Sequence, residues 1–188
     1  MTTRIPASSI GLPGHHSPGA GFEEPFEMLA ACHERVLRML GLLARLREHL
    51  ANVGWDASAA QAAQDVMRYF DLAAPHHHED EERHVFPVVL ADPTSPLHDL
   101  VRRLQQEHLA MAANWAVARL VLSRVRDAQT DTWQPLNASD QTALDTFVAL
   151  YAQHAEDEDR LVFPAARQRL DDPQTQAMGK EMMNRRKV

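Results

Sequence analysis

The fold is decided by a stretch that occurs twice, as HHEDEERHVFP at residues 77–87 and as HAEDEDRLVFP at residues 154–164. The two copies align without a gap at a constant offset of 77 residues, and eight of their eleven positions are identical. A repeat of this kind indicates that one structural unit is used more than once within a chain. It therefore predicts two helix pairs of related sequence.

Apolar residues recur every three or four positions around both copies, which is typical of amphipathic helices. We expect Pro75 to kink or break the helix that carries the first copy. No alternating β-branched run occurs, so no strand is predicted. The pattern favours an all-α fold, an antiparallel up-down four-helix bundle with a short C-terminal helix. The predicted helices lie at about 23–52, 57–91, 96–127, 139–170 and 174–184.

Composition places the chain among ordinary globular proteins. Its 188 residues are 45% hydrophobic and 24% charged, which is enough for one domain with a core. Residues 1–21 are rich in proline and glycine and predict a flexible leader, with residues 22–188 forming the domain. The net charge of −7 and the lack of a long apolar run predict neither a nucleic-acid nor a membrane partner. A single cysteine, Cys32, excludes an internal disulfide and fits a cytoplasmic location.

Each copy of the repeat places a histidine four residues before a glutamate. These pairs are His77 with Glu81 and His154 with Glu158. Residues four apart lie on one face of a helix, so each pair can direct a nitrogen and a carboxylate into the same interior volume. His78 with Glu82 and His76 with Asp80 have the same spacing, but the alignment of the repeat favours His77 with Glu81.

Each pair is preceded by a histidine on the apolar stripe of an earlier helix, His33 in the first half and His108 in the second. Imidazoles and carboxylates are costly to bury unless they are paired or bind a metal. We therefore predict two metal ions with bridging carboxylates, and this nitrogen and oxygen set suits iron, with manganese or zinc possible. The predicted ligands are His33, His77, Glu81, His108, His154 and Glu158.

His84 makes the two halves of the pattern unequal. It follows Glu81 by three residues and shares its face, whereas its counterpart in the second copy is Leu161. We include His84 as a metal ligand; the alternative is a semi-buried histidine beside the ligands. A fifth histidine on one metal makes the two ions inequivalent and leaves an open position on one of them for a small ligand such as O2 or NO.

These residues resemble the hemerythrin-like, or HHE cation-binding, family. The resemblance covers about residues 22–188 and implies a four-helix bundle with a non-haem di-iron site. It places the ligands on the same six residues, but Ala112 stands where oxygen-carrying hemerythrins have a fifth histidine. The spacing is closer to the iron-centre repair proteins of nitrosative stress, which usually carry cysteines in an N-terminal segment. The stretches that carry the resemblance are Cys32–Arg35, HHHEDEERHVFP (76–87), Glu107 with His108, and HAEDEDRLVFP (154–164).

The resemblance implies a protein that binds O2 or a related small ligand, NO or peroxide, in sensing, storage, detoxification or iron handling. The alternative is a di-iron enzyme of nitrosative or oxidative stress that repairs iron centres or turns over peroxide or NO. A structural zinc bundle is a third interpretation. The sequence shows no obvious acid–base pair beyond the ligands, which favours binding over turnover. It does not identify a protein partner.

Overall fold

The computed structural model describes residues 21–186, and the regular structure in that range is helical throughout. The first copy of the repeat, residues 77–87, lies on one continuous helical segment that contains a π-helical turn. The second copy, residues 154–164, lies on a second segment of the same kind. The elements are α1 (Pro25–Asn52), α2 (Ala57–Asp80), a π turn (Glu81–Val85), α3 (Phe86–Leu90), α4 (His98–Asp127), α5 (Ala138–Ala149), α6 (Tyr151–Asp157), a π turn (Glu158–Val162), α7 (Phe163–Arg167) and α8 (Asp172–Arg185).

The predicted helices are confirmed, and side chains that suit helix N-termini begin three of them. Asp56 accepts a hydrogen bond from the backbone of Ala59, while Asn137 and Asp171 each form a capping box. Of the two effects expected of Pro75, a kink or a break, the break is wrong, because α2 continues through Pro75 to Asp80. Pro75 is exposed, and the packing of buried neighbours on the inner face keeps the helix continuous there.

The long helices form successive contacts, α1 with α2, α2 with α4, α4 with α5, and α1 with α6. Their apolar faces build two separate clusters of buried side chains. Ala74 belongs to one cluster and Val85 to the other, while His77 and Glu81 lie between them along the chain. The polar residues of the repeat therefore form a layer between two apolar clusters.

Helix α8 packs against α1 and closes the second cluster with the buried side chains of Met178 and Met182. Gly179 permits this closeness, since a Cβ built on it would lie 1.9 Å from the backbone oxygen of Phe22. The fully buried carboxylate of Asp80 contacts two arginines at the end of the chain, Arg185 and Arg186.

No helix within residues 21–186 is long and apolar enough to cross a membrane. The predicted leader, residues 1–21, lies outside the described residues except for Gly21.

Candidate metal centre

Six buried residues from the repeat and its upstream helices converge in the polar layer. The two glutamates have 0% of their surface exposed, and the four histidines between 3% and 6%. Their ligand atoms form two groups, each compact enough to hold a metal ion. The structure thus brings together six of the seven predicted site residues: His33, His77, Glu81, His108, His154 and Glu158.

The first group joins α1, α2 and the start of both π turns. His77 Nε2 lies 3.1 Å from Oε1 of Glu81, which follows one helical turn later along the same helical segment. His33 Nε2 lies 3.1 Å from Oε2 of Glu158 and 3.7 Å from Oε1 of Glu81. Two imidazole nitrogens and two carboxylates therefore meet in one volume.

The second group joins α4 and α6 to the same carboxylates. His154 Nε2 lies 3.2 Å from Oε2 of Glu158, and His108 Nε2 lies 3.1 Å from His154 Nε2. His108 Nε2 is also 3.5 Å from Oε2 of Glu81 and 3.8 Å from Oε1 of Glu158. Each glutamate therefore faces a histidine of both groups, which is the placement of a bridging ligand.

All four carboxylate oxygens of Glu81 and Glu158 are buried without a hydrogen-bond partner among the described residues. The same holds, within residues 21–186, for Nε2 of His33. An unsatisfied buried carboxylate costs several kcal/mol, roughly, unless a cation neutralises it. The donor set therefore fits metal ions, and both carboxylates are oriented to share them.

Three of the histidines are held by acidic residues on the side of the ring away from the centre. His33 Nδ1 donates a hydrogen bond to Asp159 at 2.9 Å, and His108 Nδ1 donates to Glu82 at 3.0 Å. His154 Nδ1 donates to Glu107 at 2.8 Å. Such partners orient a metal-binding imidazole and raise its basicity. These roles were not predicted from the sequence, although each acid is adjacent in sequence to a predicted ligand.

Comparison with known proteins agrees with this geometry. The model of the hemerythrin HHE cation-binding domain matches residues 24–166. The chain belongs to the hemerythrin HHE cation-binding family. A protein of Haemophilus influenzae, described only as uncharacterized, is 31% identical to it over 171 residues, which are 90% of this chain and 94% of that relative. The family resemblance drawn from the sequence is thereby confirmed, and the cluster is the part of this HHE domain suited to bind cations.

His84 is the predicted site residue that the structure places elsewhere in this HHE domain. Its Nε2 contacts the carboxylate of Glu181 on α8, and it joins neither group of ligand atoms described here. The prediction assumed regular α-helical spacing after Glu81, but Glu81–Val85 is a π-helical turn. The chain turns less per residue in a π helix than in an α helix, so His84 leaves the face that His77 and Glu81 share.

The pKa values of the cluster show how strongly its charged groups interact. Burial and the charge of Glu158 raise the pKa of Glu81 to about 8. Burial opposes protonation of His33, but its contacts with Asp159, Glu158 and Glu81 prevail and raise its pKa to about 12. Burial lowers the pKa of His108 to about 4. The protein thus holds positive charge on His33 beside the glutamates, where a cation would replace it.

A pocket of about 540 Å³ in the surface of the HHE domain extends inward to the second group. His108 lines this pocket, together with Ala112 and His78. The His78 ring is stacked on the His108 ring with centroids 4.1 Å apart and planes 13° from parallel. Two imidazoles that bind one metal side by side cannot also be stacked face to face, so His78 forms the wall of the pocket in this arrangement.

Proposed function

We propose that this HHE protein carries two iron ions in the cluster and binds O2 or a related small ligand, NO or peroxide, there. The observation that carries the proposal is the pair of buried glutamates, whose four oxygens have no hydrogen-bond partner among residues 21–186. They lie within 3.1–3.5 Å of imidazole nitrogens from both groups. We also propose that the four long helical segments form an antiparallel up-down bundle, with residues 22–188 as the domain and residues 1–21 as a leader.

Two ions, rather than one, are supported by the sharing of carboxylates. The first group has its own histidines, His33 and His77, and the second has His108 and His154. Glu158 belongs to both groups, and Glu81 of the first lies 3.5 Å from His108 of the second. The mixed nitrogen and oxygen set suits iron, with manganese and zinc as the competing metals.

Binding of a small ligand is supported by the low number of protein donors. Each group offers two imidazoles and the shared carboxylates, fewer than the six donors of an octahedral ion, and the pocket beside His108 gives access to the second group. Iron in such a site would supply redox chemistry and affinity for diatomic ligands. The protein residues would hold the ions, orient the imidazoles through Asp159, Glu82 and Glu107, and exclude bulk water by burial.

Iron loading tests this proposal. The purified metal-free chain is incubated anaerobically with Fe(II), desalted and analysed for iron, and two ions per chain are expected. Replacing both bridging residues, Glu81→Gln with Glu158→Gln, should abolish binding. The control pair Glu79→Gln with Glu156→Gln should retain it, since these carboxylates pair with Arg83 and Arg160 and belong to neither ligand group. Circular dichroism checks that each variant is folded. Binding of one ion or none by the unchanged chain would contradict the proposal.

The loaded protein then distinguishes binding from turnover. Exposure to O2 or NO should give an optical spectrum that reverts when the gas is removed. Continuous consumption of peroxide or NO would instead favour the alternative, a di-iron enzyme of oxidative or nitrosative stress. Zinc rather than iron in the protein as purified from cells, measured by mass spectrometry, would favour a structural metal.

A further inference from the structure

The two halves of the repeat hold each other's histidines in a reciprocal arrangement. His33, from the first half, donates to Asp159, which follows Glu158 of the second half. His108, from the second half, donates to Glu82, which follows Glu81 of the first half. The acid directly after each bridging glutamate therefore orients the upstream histidine of the opposite half.

The reciprocity fails for the remaining two histidines. His154 Nδ1 donates to Glu107, the residue directly before His108. The equivalent position in the first half, directly before His33, is occupied by Cys32. His77 Nδ1 is buried and has no hydrogen-bond partner within the described range 21–186. One histidine of the four thus lacks the acidic partner that the others have.

We infer that the two metal positions have unequal affinities, with the His108 and His154 position tight and the His33 and His77 position weak and exchangeable. The inference rests on the proposed two-ion centre. A carboxylate that accepts from the outer nitrogen of an imidazole fixes the ring and makes its inner nitrogen a stronger donor. Both histidines of the second position have such a partner, whereas only His33 of the first position does.

His77 and His154, the two histidines that differ in having an acidic partner at Nδ1, are otherwise closely matched. His77 and His154 are both 3% exposed, and each lies about one helical turn before its own glutamate at 3.1 and 3.2 Å. The carboxylates are shared, so they add similar charge to both positions. Cys32 does not replace the acid, because its Sγ is directed at Met28 Sδ, 3.6 Å away, on the same helix. The absent acid is therefore the main source of inequality.

The weak position would release its ion first when a chelator or a second protein competes for it. A divalent first-row ion held there is the exchangeable part of the centre, while the ion at the tight position remains. The protein would therefore release one of its two metal ions more readily than the other.

A Co(II) titration of the full metal-free chain, followed by its optical bands and by competition with a chelator, tests the inference. We expect two binding steps with affinities that differ by about 10–100-fold. Glu107→Gln keeps the shape of the side chain but removes its negative charge beside His154. Because this weakens the tight position, the two binding steps should merge. Asp159→Asn acts on the weak position, so the steps should move further apart. Glu34→Gln is the matched control, since Glu34 is adjacent to His33 but pairs with Arg38, and it should leave both steps unchanged.

The possible failures separate the inference from the function on which it rests. Two ions bound with one affinity by the unchanged chain would overturn the inference and leave the two-ion centre intact. The inference is equally wrong if Glu107→Gln separates the steps or Asp159→Asn merges them while two ions still bind. A total of one ion or none would overturn both. Thermal unfolding of each metal-free variant checks that its change of affinity does not come from a loss of structure.

Discussion

The imidazole of His33 is stacked on the phenyl ring of Phe163, with centroids 5.5 Å apart and planes 8° from parallel. His108 is stacked in the same way on Phe86, at 5.4 Å and 18°. Both phenylalanines belong to the VFP end of the repeat, and each packs on the histidine of the opposite half. The repeat therefore supplies a glutamate to the centre and, five residues later, an aromatic ring that fixes a histidine contributed by another helix.

Replacing Phe163 by leucine should weaken metal binding more than it weakens the fold. The change removes the flat face against His33 but keeps an apolar side chain, so the free energy of unfolding should fall by no more than about 1.5 kcal/mol. Co(II) affinity should fall because the ring of His33 gains freedom. Phe26→Leu is the matched control, since Phe26 packs on Phe163 in the same cluster. Equal metal affinity in the two variants would contradict this role of Phe163.

Gly179→Ala should loosen α8 from the start of α1. The added Cβ would overlap the backbone oxygen of Phe22, and neither backbone can move without displacing the buried side chains around it. We expect urea unfolding to show a loss of about 1–3 kcal/mol. Gly41→Ala is the control, because its Cβ would meet only the end of the Arg45 side chain at 3.6 Å. In the middle of α1 that change should stabilise by about 0.5–1 kcal/mol. If Gly179→Ala is as stable as the unchanged chain, α8 is not packed closely against Phe22.

Asp71 joins α2 to α4 and makes stability depend on pH. Its carboxylate accepts hydrogen bonds from Trp115 at 3.0 Å and from Arg119 at 2.8 Å. Burial opposes ionisation of Asp71, but these two donors prevail and lower its pKa below the usual 3.8. A lowered pKa in the folded state means that the stabilisation is complete above the unfolded value and is lost as the pH falls through the folded value.

Asp71→Asn should therefore cost about 1 kcal/mol at pH 7. The difference from the unchanged chain should shrink when urea unfolding is repeated at pH 3. Asp65→Asn, on the same helix, is the control, since Asp65 bonds only to the neighbouring Gln61 among the contacts described here. A difference at pH 3 as large as that at pH 7 would show that the charge of Asp71 is not what stabilises the contact.

The sequence predicted most of the fold because its signals are local. Apolar spacing located the helices along the chain. The convergence of the six polar residues was also predictable, since a buried stripe must face the centre of a bundle wherever the neighbouring helices lie. The repeat resolved the register among three consecutive histidines by selecting His77, which the structure places in the cluster.

The partners of the histidines could not be predicted in the same way. The sequence does not distinguish Asp159, Glu82 and Glu107 from acidic residues on a solvated surface. Their contacts with the histidines depend on how far one helix is shifted along its neighbour. The position of His84 depends on a π-helical turn, which apolar spacing does not reveal. In both cases the decisive information is the relative placement of helices or a local change of helical twist. Neither is encoded in the hydrophobic pattern.

Diffraction from crystals of the iron-loaded protein, measured at the iron absorption edge, tests the central claim most directly. We expect two anomalous peaks between Glu81 and Glu158, one beside His33 and His77 and the other beside His108 and His154. A single peak, peaks at other residues, or an interior without iron after loading would contradict it.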